Sequence, residues 1–421
     1  MNSDEILPKM LDAVVVGAGF SGLYMLYCLR EQGFSAKILE AGDGIGGTWY
    51  WNRYPGARCD VESIQYSYLF SEELEKEWKW SELFASQPEI LRYLNYVVDK
   101  FDLRKDIQLG TRVNAAFFDE THSRWEIQTN QRDRLFAKFC IMATGCVSAT
   151  NIPQIKGLDI FNGNHYHTSR WPHNNICFNG RRVAVIGTGS SGIQLIPIIA
   201  EQADHVFVFQ RTPNFSIPAR NGPLNAEYEQ IDLQKGSIDE ITPNGIRIKE
   251  KIYEVDDIVF ATGFDAMTGA LLQIDIRGRS DKTLRDKWAE GPRTYLGLMV
   301  ANFPNLFIIT GPGSPSVLTN MPRAIEQHVD WIAECLNYLR THHYDTIEPQ
   351  VEAENAWLRH VHEVVNSTLF PLANSWYVGA NIDGKPRVFM PYIGGLNVYR
   401  QKCQDIVDNG YEGFICAKDI R

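Results

Sequence analysis

The sequence contains no apolar run long enough to cross a membrane, which takes about 18 residues or more. Its first ten residues, MNSDEILPKM, lack the basic region followed by an apolar stretch that is typical of a secretory signal. Long basic runs are also missing, and the formal net charge is −10. These absences argue against a membrane span, a secreted product and a nucleic-acid partner.

Paired cysteines are missing as well. The eight cysteines are scattered along the 421 residues, and none forms a Cys-x-x-Cys motif. Neither a zinc site nor a disulfide framework is indicated, so we predict no metal, reduced thiols and a cytoplasmic location. Cys59 stands alone after the first nucleotide motif described below, which argues against the redox cysteine pair of a disulfide reductase.

A strand, a glycine-rich turn, a helix and a second strand follow one another near the start of the sequence. The same pattern returns about 170 residues later. Such a βαβ unit is typical of a dinucleotide-binding domain, so two copies predict an α/β fold with two Rossmann-like three-layer domains. The predicted elements are strands at 13–16, 36–39, 125–128, 139–142, 183–186, 206–209 and 257–260, helices at 20–32, 193–203, 324–339 and 355–366, and an ordered loop at 374–397.

The first copy carries the pattern GxGxxG at Gly17, Gly19 and Gly22. Glycines here permit a tight turn and a close approach of the backbone to a pyrophosphate, which then lies at the positive N-terminus of the helix. Glu40 follows 23 residues after Gly17, at the end of the second strand, where its carboxylate can accept hydrogen bonds from ribose hydroxyls. This unit predicts the FAD site.

The second copy repeats the pattern at Gly187, Gly189 and Gly192. The residue 23 positions after Gly187 is Gln210, and Arg211 follows it. A guanidinium in place of a carboxylate suits a 2′-phosphate, so this copy is predicted to bind NADPH. Ser190, Ser191 and Thr212 are predicted to line the same site.

Two longer motifs give the sequence a family resemblance. FNGNHYHTSRWP at 161–172 matches FxGxxxHxxxWP, and GGTW at 46–49 continues to Tyr54-Pro55-Gly56 and Asp60 in the pattern GGxWxxxxYPGxxxD. With both glycine motifs in order, the sequence resembles the type I Baeyer–Villiger monooxygenases over nearly its whole length. The resemblance implies that NADPH reduces FAD, that reduced flavin captures O₂ as a C4a-peroxide, and that this peroxide converts a ketone to an ester or lactone. Sulfide oxidation is implied as a side activity.

The resemblance also assigns roles to single residues. It implies that Gly47, Thr48 and Trp49 lie at the flavin, that Asp60 is an active-site carboxylate beside it, and that His167 couples NADPH binding to domain movement. Capping of a loop by Asp60, a structural role for His167 and a core position for Trp376 are the alternatives. The remaining implied residues are Trp376, on a loop that closes over NADP, and Pro315, Ser316, Val317 and Leu318, on a loop lining the ketone pocket.

One departure from the family concerns an insertion. The resemblance implies a long, mostly helical insertion that carries a catalytic arginine beside the flavin, preceded by a lysine that helps hold the 2′-phosphate. Here Gln230 runs directly into Ile231, and no arginine matches the catalytic one. Either the chain is a shortened form of the family fold, or the protein has the insertion in residues outside this sequence. For the 421 residues as they stand, oxygen transfer is expected to be poorly coupled to NADPH consumption.

The length predicts two or three domains. We predict an FAD domain from residues 1–147 and 301–421, an NADPH domain from 148–300, and a monomer. An N- or S-oxygenase, an NADPH oxidase that releases hydrogen peroxide, and a flavin-binding scaffold without turnover are the alternative functions.

Overall fold

The computed structural model describes residues 10–213, 228–232 and 237–418. The N-terminal nine residues, part of the segment inspected for a signal, lie outside this range. The described chain is α/β, with one mixed and one fully parallel sheet that each carry one glycine turn. The predicted α/β fold with two Rossmann-like domains is confirmed, and both βαβ units match their predicted bounds within a few residues.

The described residues form eighteen strands. They are β1 (Leu11–Val16), β2 (Ala36–Leu39), β3 (Ile107–Gln108), β4 (Val113–Asp119), β5 (Arg124–Thr129), β6 (Arg134–Met142), β7 (Asn164–His167), β8 (Arg182–Ile186), β9 (His205–Gln210), β10 (Tyr228–Asp232), β11 (Glu240–Thr242), β12 (Gly245–Ile248), β13 (Lys251–Glu254), β14 (Asp257–Phe260), β15 (Asp275–Arg277), β16 (Leu306–Ile308), β17 (Thr346–Pro349) and β18 (Phe414–Ala417).

Ten α-helices occur in the same ranges of the chain. They are α1 (Phe20–Glu31), α2 (Thr48–Trp51), α3 (Glu72–Glu77), α4 (Gln87–Lys100), α5 (Ser190–Ala200), α6 (Gly269–Leu272), α7 (Leu284–Lys287), α8 (Met321–His342), α9 (Val351–Asn366) and α10 (Leu396–Asp408). Short 3-10 helices at Thr168–Arg170, Ser316–Leu318 and Trp376–Val378 bear on the site.

The larger sheet has the strand order β15-β4-β5-β6-β1-β2-β3, and β16 also pairs with β6. Strand β1 is parallel to both β2 and β6, and its residues Ala13, Val14 and Val15 are fully buried. A continuous apolar run is required there because helices cover both faces of a parallel sheet. Strands β4, β5 and β6 form an antiparallel meander at one side.

The smaller parallel sheet has the order β10-β9-β8-β14-β7, with every pair parallel. Its central strands, β8 and β14, are almost entirely buried, and α5 packs against it. The junction between Gln230 and Ile231, where the family resemblance expects an insertion, lies inside the edge strand β10. The chain therefore crosses this junction as continuous strand.

The division of the chain at residues 147 and 301 stays a prediction. Strands β7 to β14 fall within the predicted segment 148–300 and form the smaller parallel sheet and the antiparallel sheet β11-β12-β13. Strand β15 also lies in that segment but pairs with β4 of the larger sheet. Trp288 and Val300 pack into the core of the larger sheet as well.

Candidate active site

The first glycine turn joins β1 to α1 and requires glycine at its ends. Gly17 has φ of 109°, and a Cβ there would lie 2.6 Å from the carbonyl oxygen of Ala143. A Cβ on Gly22 would lie 1.9 Å from the carbonyl oxygen of Gly17. The motif thus packs β1, α1 and the end of β6 closer together than any side chain allows.

The N-terminus of α1 is open to an anion. Its N-cap residue is Gly19, and no side chain caps the helix. A second backbone segment crosses close by, since a Cβ on Gly47 would lie 2.8 Å from the Cα of Gly19. Uncapped N–H groups at the positive end of a 12-residue helix fit a pyrophosphate.

Glu40 lies at the end of β2, as predicted, and is buried with 4% of its surface exposed. Its carboxylate accepts hydrogen bonds of 2.7 Å from the backbone N–H groups of Ala18 and Gly42. Burial raises the pKa of Glu40, and these two bonds oppose the rise. Each carboxylate oxygen can accept a further hydrogen bond, so Glu40 can also bind ribose hydroxyls.

A cavity of about 370 Å³ joins these features. Thr310 adds a polar group to its wall: the hydroxyl is buried and has no hydrogen-bond partner within the described residues. An orphaned buried hydroxyl facing a cavity fits a polar ligand atom. Six predicted FAD residues line the cavity, namely Gly17, Gly19, Glu40, Gly47, Thr48 and Trp49.

The second glycine turn repeats this construction between β8 and α5. Gly187 has φ of 108°, and a Cβ there would lie 2.3 Å from the carbonyl oxygen of Ala261. A Cβ on Gly192 would lie 2.3 Å from the carbonyl oxygen of Gly187. At Gly189, the N-cap of α5, a Cβ would meet no atom within 4 Å, and no side chain caps the helix.

The carboxyl end of β9 carries the residues predicted to select the second cofactor. The amide of Gln210 donates a 2.8 Å hydrogen bond to the hydroxyl of Thr188 in the glycine turn, at the place where Glu40 acts in the first unit. Arg211 and Thr212 follow and are exposed, as is Ser190 at the start of α5. The turn thus presents a neutral amide and an exposed guanidinium, with Ser191 half-buried beside them.

The GGxWxxxxYPGxxxD motif is connected to the second nucleotide unit through a residue that the sequence did not single out. The Tyr54 hydroxyl donates a 2.9 Å hydrogen bond to the side-chain carbonyl of Gln194 on α5. The Gln194 amide donates to the carbonyl oxygen of Arg58 at 3.0 Å. A Cβ on Gly56 would lie 2.4 Å from the backbone carbonyl oxygen of Gln194, so glycine is required for this close approach of the motif to α5.

His167 is buried at the end of β7 with 5% of its surface exposed. Its Nδ1 accepts a 3.1 Å hydrogen bond from the N–H of Ser169, and its Nε2 lies 3.3 Å from the carbonyl oxygen of Asn151. This arrangement places the proton of a neutral ring on Nε2. Burial lowers the pKa of His167 to about 4, so the ring is neutral at physiological pH.

Comparisons with known proteins agree with this construction. A profile of the pyridine nucleotide-disulphide oxidoreductase family matches residues 14–309. An acetone monooxygenase (methyl acetate-forming) from Gordonia sp. (strain TY-5) is 36% identical, with 96% of this chain and 98% of the relative covered. A Baeyer–Villiger monooxygenase from Pseudooceanicola batsensis is 34% identical, with 96% of each chain covered. The chain belongs to the Baeyer–Villiger monooxygenases.

Solved structures of this family superpose on nearly the whole chain. An oxidized steroid monooxygenase bound to NADP has a TM-score of 0.91 at 40% identity and covers 98% of this chain and 100% of its own. OTEMO in complex with FAD and NADP has a TM-score of 0.92 at 33% identity, with the same coverage. The alignment with the acetone monooxygenase runs over 525 positions, which exceeds the 421 residues of this chain by 104. At least that many aligned positions have no residue here.

Other residues implied by the Baeyer–Villiger resemblance lie around the cavity rather than in its wall. Asp60 is exposed and does not line the cavity, although its charge raises the pKa of Tyr377 together with burial, which is the larger cause. Trp376 is half-buried and packs against a cluster formed by Cys146, Ala266, Met267 and Met390. Its role and that of Asp60 remain predictions.

The loop that carries Trp376 is tied to the segment between the two sheets. The Asn151 amide lies 3.3 Å from the carbonyl oxygen of Asn381, and the Asn381 amide donates to the carbonyl oxygen of Phe264 at 2.7 Å. Lys385 donates to the carboxylate of Asp265 at 2.6 Å. Since the carbonyl of Asn151 also faces His167, one residue contacts both the fingerprint histidine and this loop.

Of the four residues predicted to line a ketone pocket, only Val317 lines the cavity. Pro315 and Ser316 are buried, and the Ser316 hydroxyl contacts the sulfur of Met267 at 3.8 Å. Leu318 packs instead against the cluster around Val365, Val378 and Phe389. The pocket role of these three residues stays a prediction.

The two arginines within the GGxWxxxxYPGxxxD motif, Arg53 and Arg58, form contacts outside the cavity. Arg53 donates to the carbonyl oxygen of Tyr50 at 2.9 Å and contacts His173. Arg58 is paired with Glu82 at 2.5 Å. Neither lines the cavity, whereas Arg170 of the second fingerprint does.

Two global features complete the description. No helix in the described part of the chain is long and apolar enough to cross a membrane. Within the same residues, no group of three or more His, Cys, Asp or Glu side chains is arranged to hold a metal ion.

Proposed function

We propose that this chain is an FAD-containing monooxygenase that uses NADPH and O₂ to convert a ketone into an ester or lactone. In the balanced reaction, ketone, O₂, NADPH and a proton give the ester or lactone, NADP⁺ and water. The observation that carries the proposal is the pairing of two separately built dinucleotide turns with the FxGxxxHxxxWP segment between their sheets. The family of the chain supports the same activity.

The cavity of the larger sheet fits FAD. The uncapped N-terminus of α1 would hold the pyrophosphate, and the Glu40 carboxylate would accept hydrogen bonds from the ribose hydroxyls. Trp49, Val317 and Met321 give the cavity an apolar wall, which excludes water from the reacting centre. Bound FAD would take hydride from NADPH and, once reduced, activate O₂.

The smaller sheet fits NADPH. The N-terminus of α5 would hold its pyrophosphate, and Arg211 would pair with the 2′-phosphate. Gln194 links α5 to the segment from Tyr54 to Arg58 by two hydrogen bonds. His167, which contacts Asn151, would couple NADPH binding to domain movement, and Trp376 would close over bound NADP.

Coupling of oxygen transfer to NADPH consumption is expected to be incomplete. The relatives contain more than a hundred aligned positions without a residue here, and the family resemblance places a catalytic arginine among such residues. A preorganised donor at a developing oxyanion contributes about 2.7–4 kcal/mol. Without it, release of hydrogen peroxide competes with ester formation.

The test begins with the intact mass of the purified 421-residue chain and with its flavin. The protein should be yellow, and acid should release about one FAD per chain. Anaerobic NADPH should bleach the flavin, which a non-catalytic scaffold would not allow. Ketones are then offered in air, and ester, NADPH and hydrogen peroxide are measured together. Heteroatom oxidation or peroxide without any ester would contradict the proposal.

The monomeric state and the cytoplasmic location stay predictions. Light scattering coupled to gel filtration would test the first. Fractionation of the source cells would test the second.

A further inference from the structure

We propose that Arg170 is a catalytic residue of this enzyme, supplying positive charge beside the apolar wall of the flavin cavity. The inference rests on the proposed function, because that reaction creates negative charge. When oxygen adds to a ketone carbonyl carbon, the C=O electron pair moves onto the carbonyl oxygen. A cation held near that oxygen lowers the barrier.

Only two basic residues in the described part of the chain line the cavity, Arg112 and Arg170. Arg112 lies at the ribose end, since its charge acts on the carboxylate of Glu40. Arg170 lies near His167, whose pKa its charge helps to lower, and the cavity lining there includes Ser169 and Thr150. Arg170 is therefore the lining cation that is not engaged at Glu40.

The position of Arg170 is fixed by its neighbours in the chain. Ser169 is buried, and its hydroxyl lies 2.8 Å from the hydroxyl of Thr150. Trp171 is buried and packs against Tyr166 with ring centroids 5.5 Å apart. The backbone of Arg170 is thus held on both sides while its side chain is exposed at the cavity.

The segment from Cys146 to Thr150 connects Arg170 to the apolar wall of the cavity. Cys146 and Val147 precede Thr150, line the cavity and belong to the cluster that contains Val317 and Trp376. An apolar wall beside a charged group is what a ketone requires, because the carbon skeleton and the carbonyl oxygen need different surroundings.

The charge of Arg170 is also uncommitted. No ion pair or side-chain hydrogen bond of Arg170 occurs among the described residues, whereas Arg58 is paired with Glu82. An unpaired guanidinium is free to interact with charge that develops in the cavity.

The experiment compares Arg170→Gln and Arg170→Lys in the FAD-loaded protein. Arg92→Gln, on the exposed surface of α4, serves as the control for loss of one positive charge. Arg170→Gln should lower ester formed per NADPH about tenfold and raise hydrogen peroxide correspondingly, while Arg170→Lys retains most of the coupling.

A second readout does not depend on turnover. A positive charge near the flavin favours its reduced anionic form, so Arg170→Gln should lower the midpoint potential by about 30 mV, the equivalent of a tenfold change for two electrons. Arg92→Gln should leave the potential unchanged.

Unchanged coupling and potential in Arg170→Gln would overturn the inference. Weaker FAD binding with normal coupling in the loaded variant would also overturn it, since Arg170 would then bind the pyrophosphate. If the unmodified enzyme makes no ester, the proposed function is wrong, whereas the potential still shows whether Arg170 acts on the flavin.

Discussion

A reciprocal pair of substitutions separates the two cofactor sites. Gly189→Ala places a methyl group at the N-cap of α5, where no atom lies within 4 Å. Gly19→Ala does the same at the N-cap of α1, where the nearest atom is the Cα of Gly47 at 3.4 Å. The backbone of both glycines is extended, with φ of −71° and −87°, so alanine fits without strain.

The expected cost therefore falls on the ligand rather than on the fold. Alanine in place of an N-cap glycine changes stability by about 1 kcal/mol or less. The methyl group occupies the space through which the backbone approaches a pyrophosphate. Loss of one charge-assisted hydrogen bond, about 1.5–3 kcal/mol, weakens binding about tenfold to a hundredfold.

The assay is titration of each variant with FAD, after removal of the flavin, and with NADP⁺. Gly189→Ala should weaken the binding of NADP⁺ and leave the affinity for FAD unchanged. Gly19→Ala should weaken the binding of FAD and leave the affinity for NADP⁺ unchanged. Both variants should melt close to the temperature of the unmodified protein. Gly22 and Gly192 are unsuitable for this purpose, because a Cβ there would lie 1.9 Å and 2.3 Å from a backbone oxygen. Equal weakening of both cofactors by either variant would refute the assignment of the two turns.

Three further predictions concern selectivity, acid stability and coupling. Arg211→Ala should weaken the affinity for NADPH about tenfold and leave the affinity for NADH unchanged, as measured by anaerobic flavin reduction. Equal losses for both cofactors would contradict a contact with the 2′-phosphate. Because burial lowers the pKa of His167 to about 4, protons bind the unfolded chain first, and stability falls as pH drops from about 6.5 to 4. In His167→Gln, the loss in the free energy of unfolding between these pH values should be smaller by up to roughly 3 kcal/mol, as measured by denaturant titration. The same loss as in the unmodified protein would exclude a neutral buried ring. Finally, ester per NADPH should lie well below one for the 421-residue chain, and near-complete coupling would mean that its own residues replace the missing arginine fully.

Local sequence was sufficient for the two cofactor turns. The spacing of Gly17, Gly19 and Gly22 and the position of Glu40 describe one continuous stretch of chain. Its close contacts are made within that stretch, with Gly42 and Gly47 just after it, and with Ala143 at the end of β6. Hydrophobic periodicity likewise predicted seven of the eighteen strands and four of the ten α-helices in the described residues, because burial of an apolar face determines them. The other strands and helices were not predicted.

Contacts between distant segments were not predictable in this way. Gln194 is an ordinary polar residue of a helix, and only the fold brings it to Tyr54, which lies 140 positions away. Arg170 occupies a variable position of its motif, and only the cavity shows what it faces. Of the four residues predicted for the ketone pocket, Val317 alone lines the flavin cavity, and the pocket role of Pro315, Ser316 and Leu318 stays a prediction because a motif match places a loop but does not orient each side chain.

The sheet order explains how the fold tolerates a missing insertion of this size. The junction at Gln230 and Ile231 lies in β10, which among the described strands pairs only with β9, at the edge of its sheet. A segment entering or leaving there interrupts no ladder among β9, β8, β14 and β7, and these strands carry the glycine turn and Arg211. NADPH binding should therefore survive the shorter chain, whereas any side chain that the segment would have delivered to the flavin is lost. The consequence for catalysis falls on oxygen transfer rather than on flavin reduction, and this is the step at which Arg170 acts.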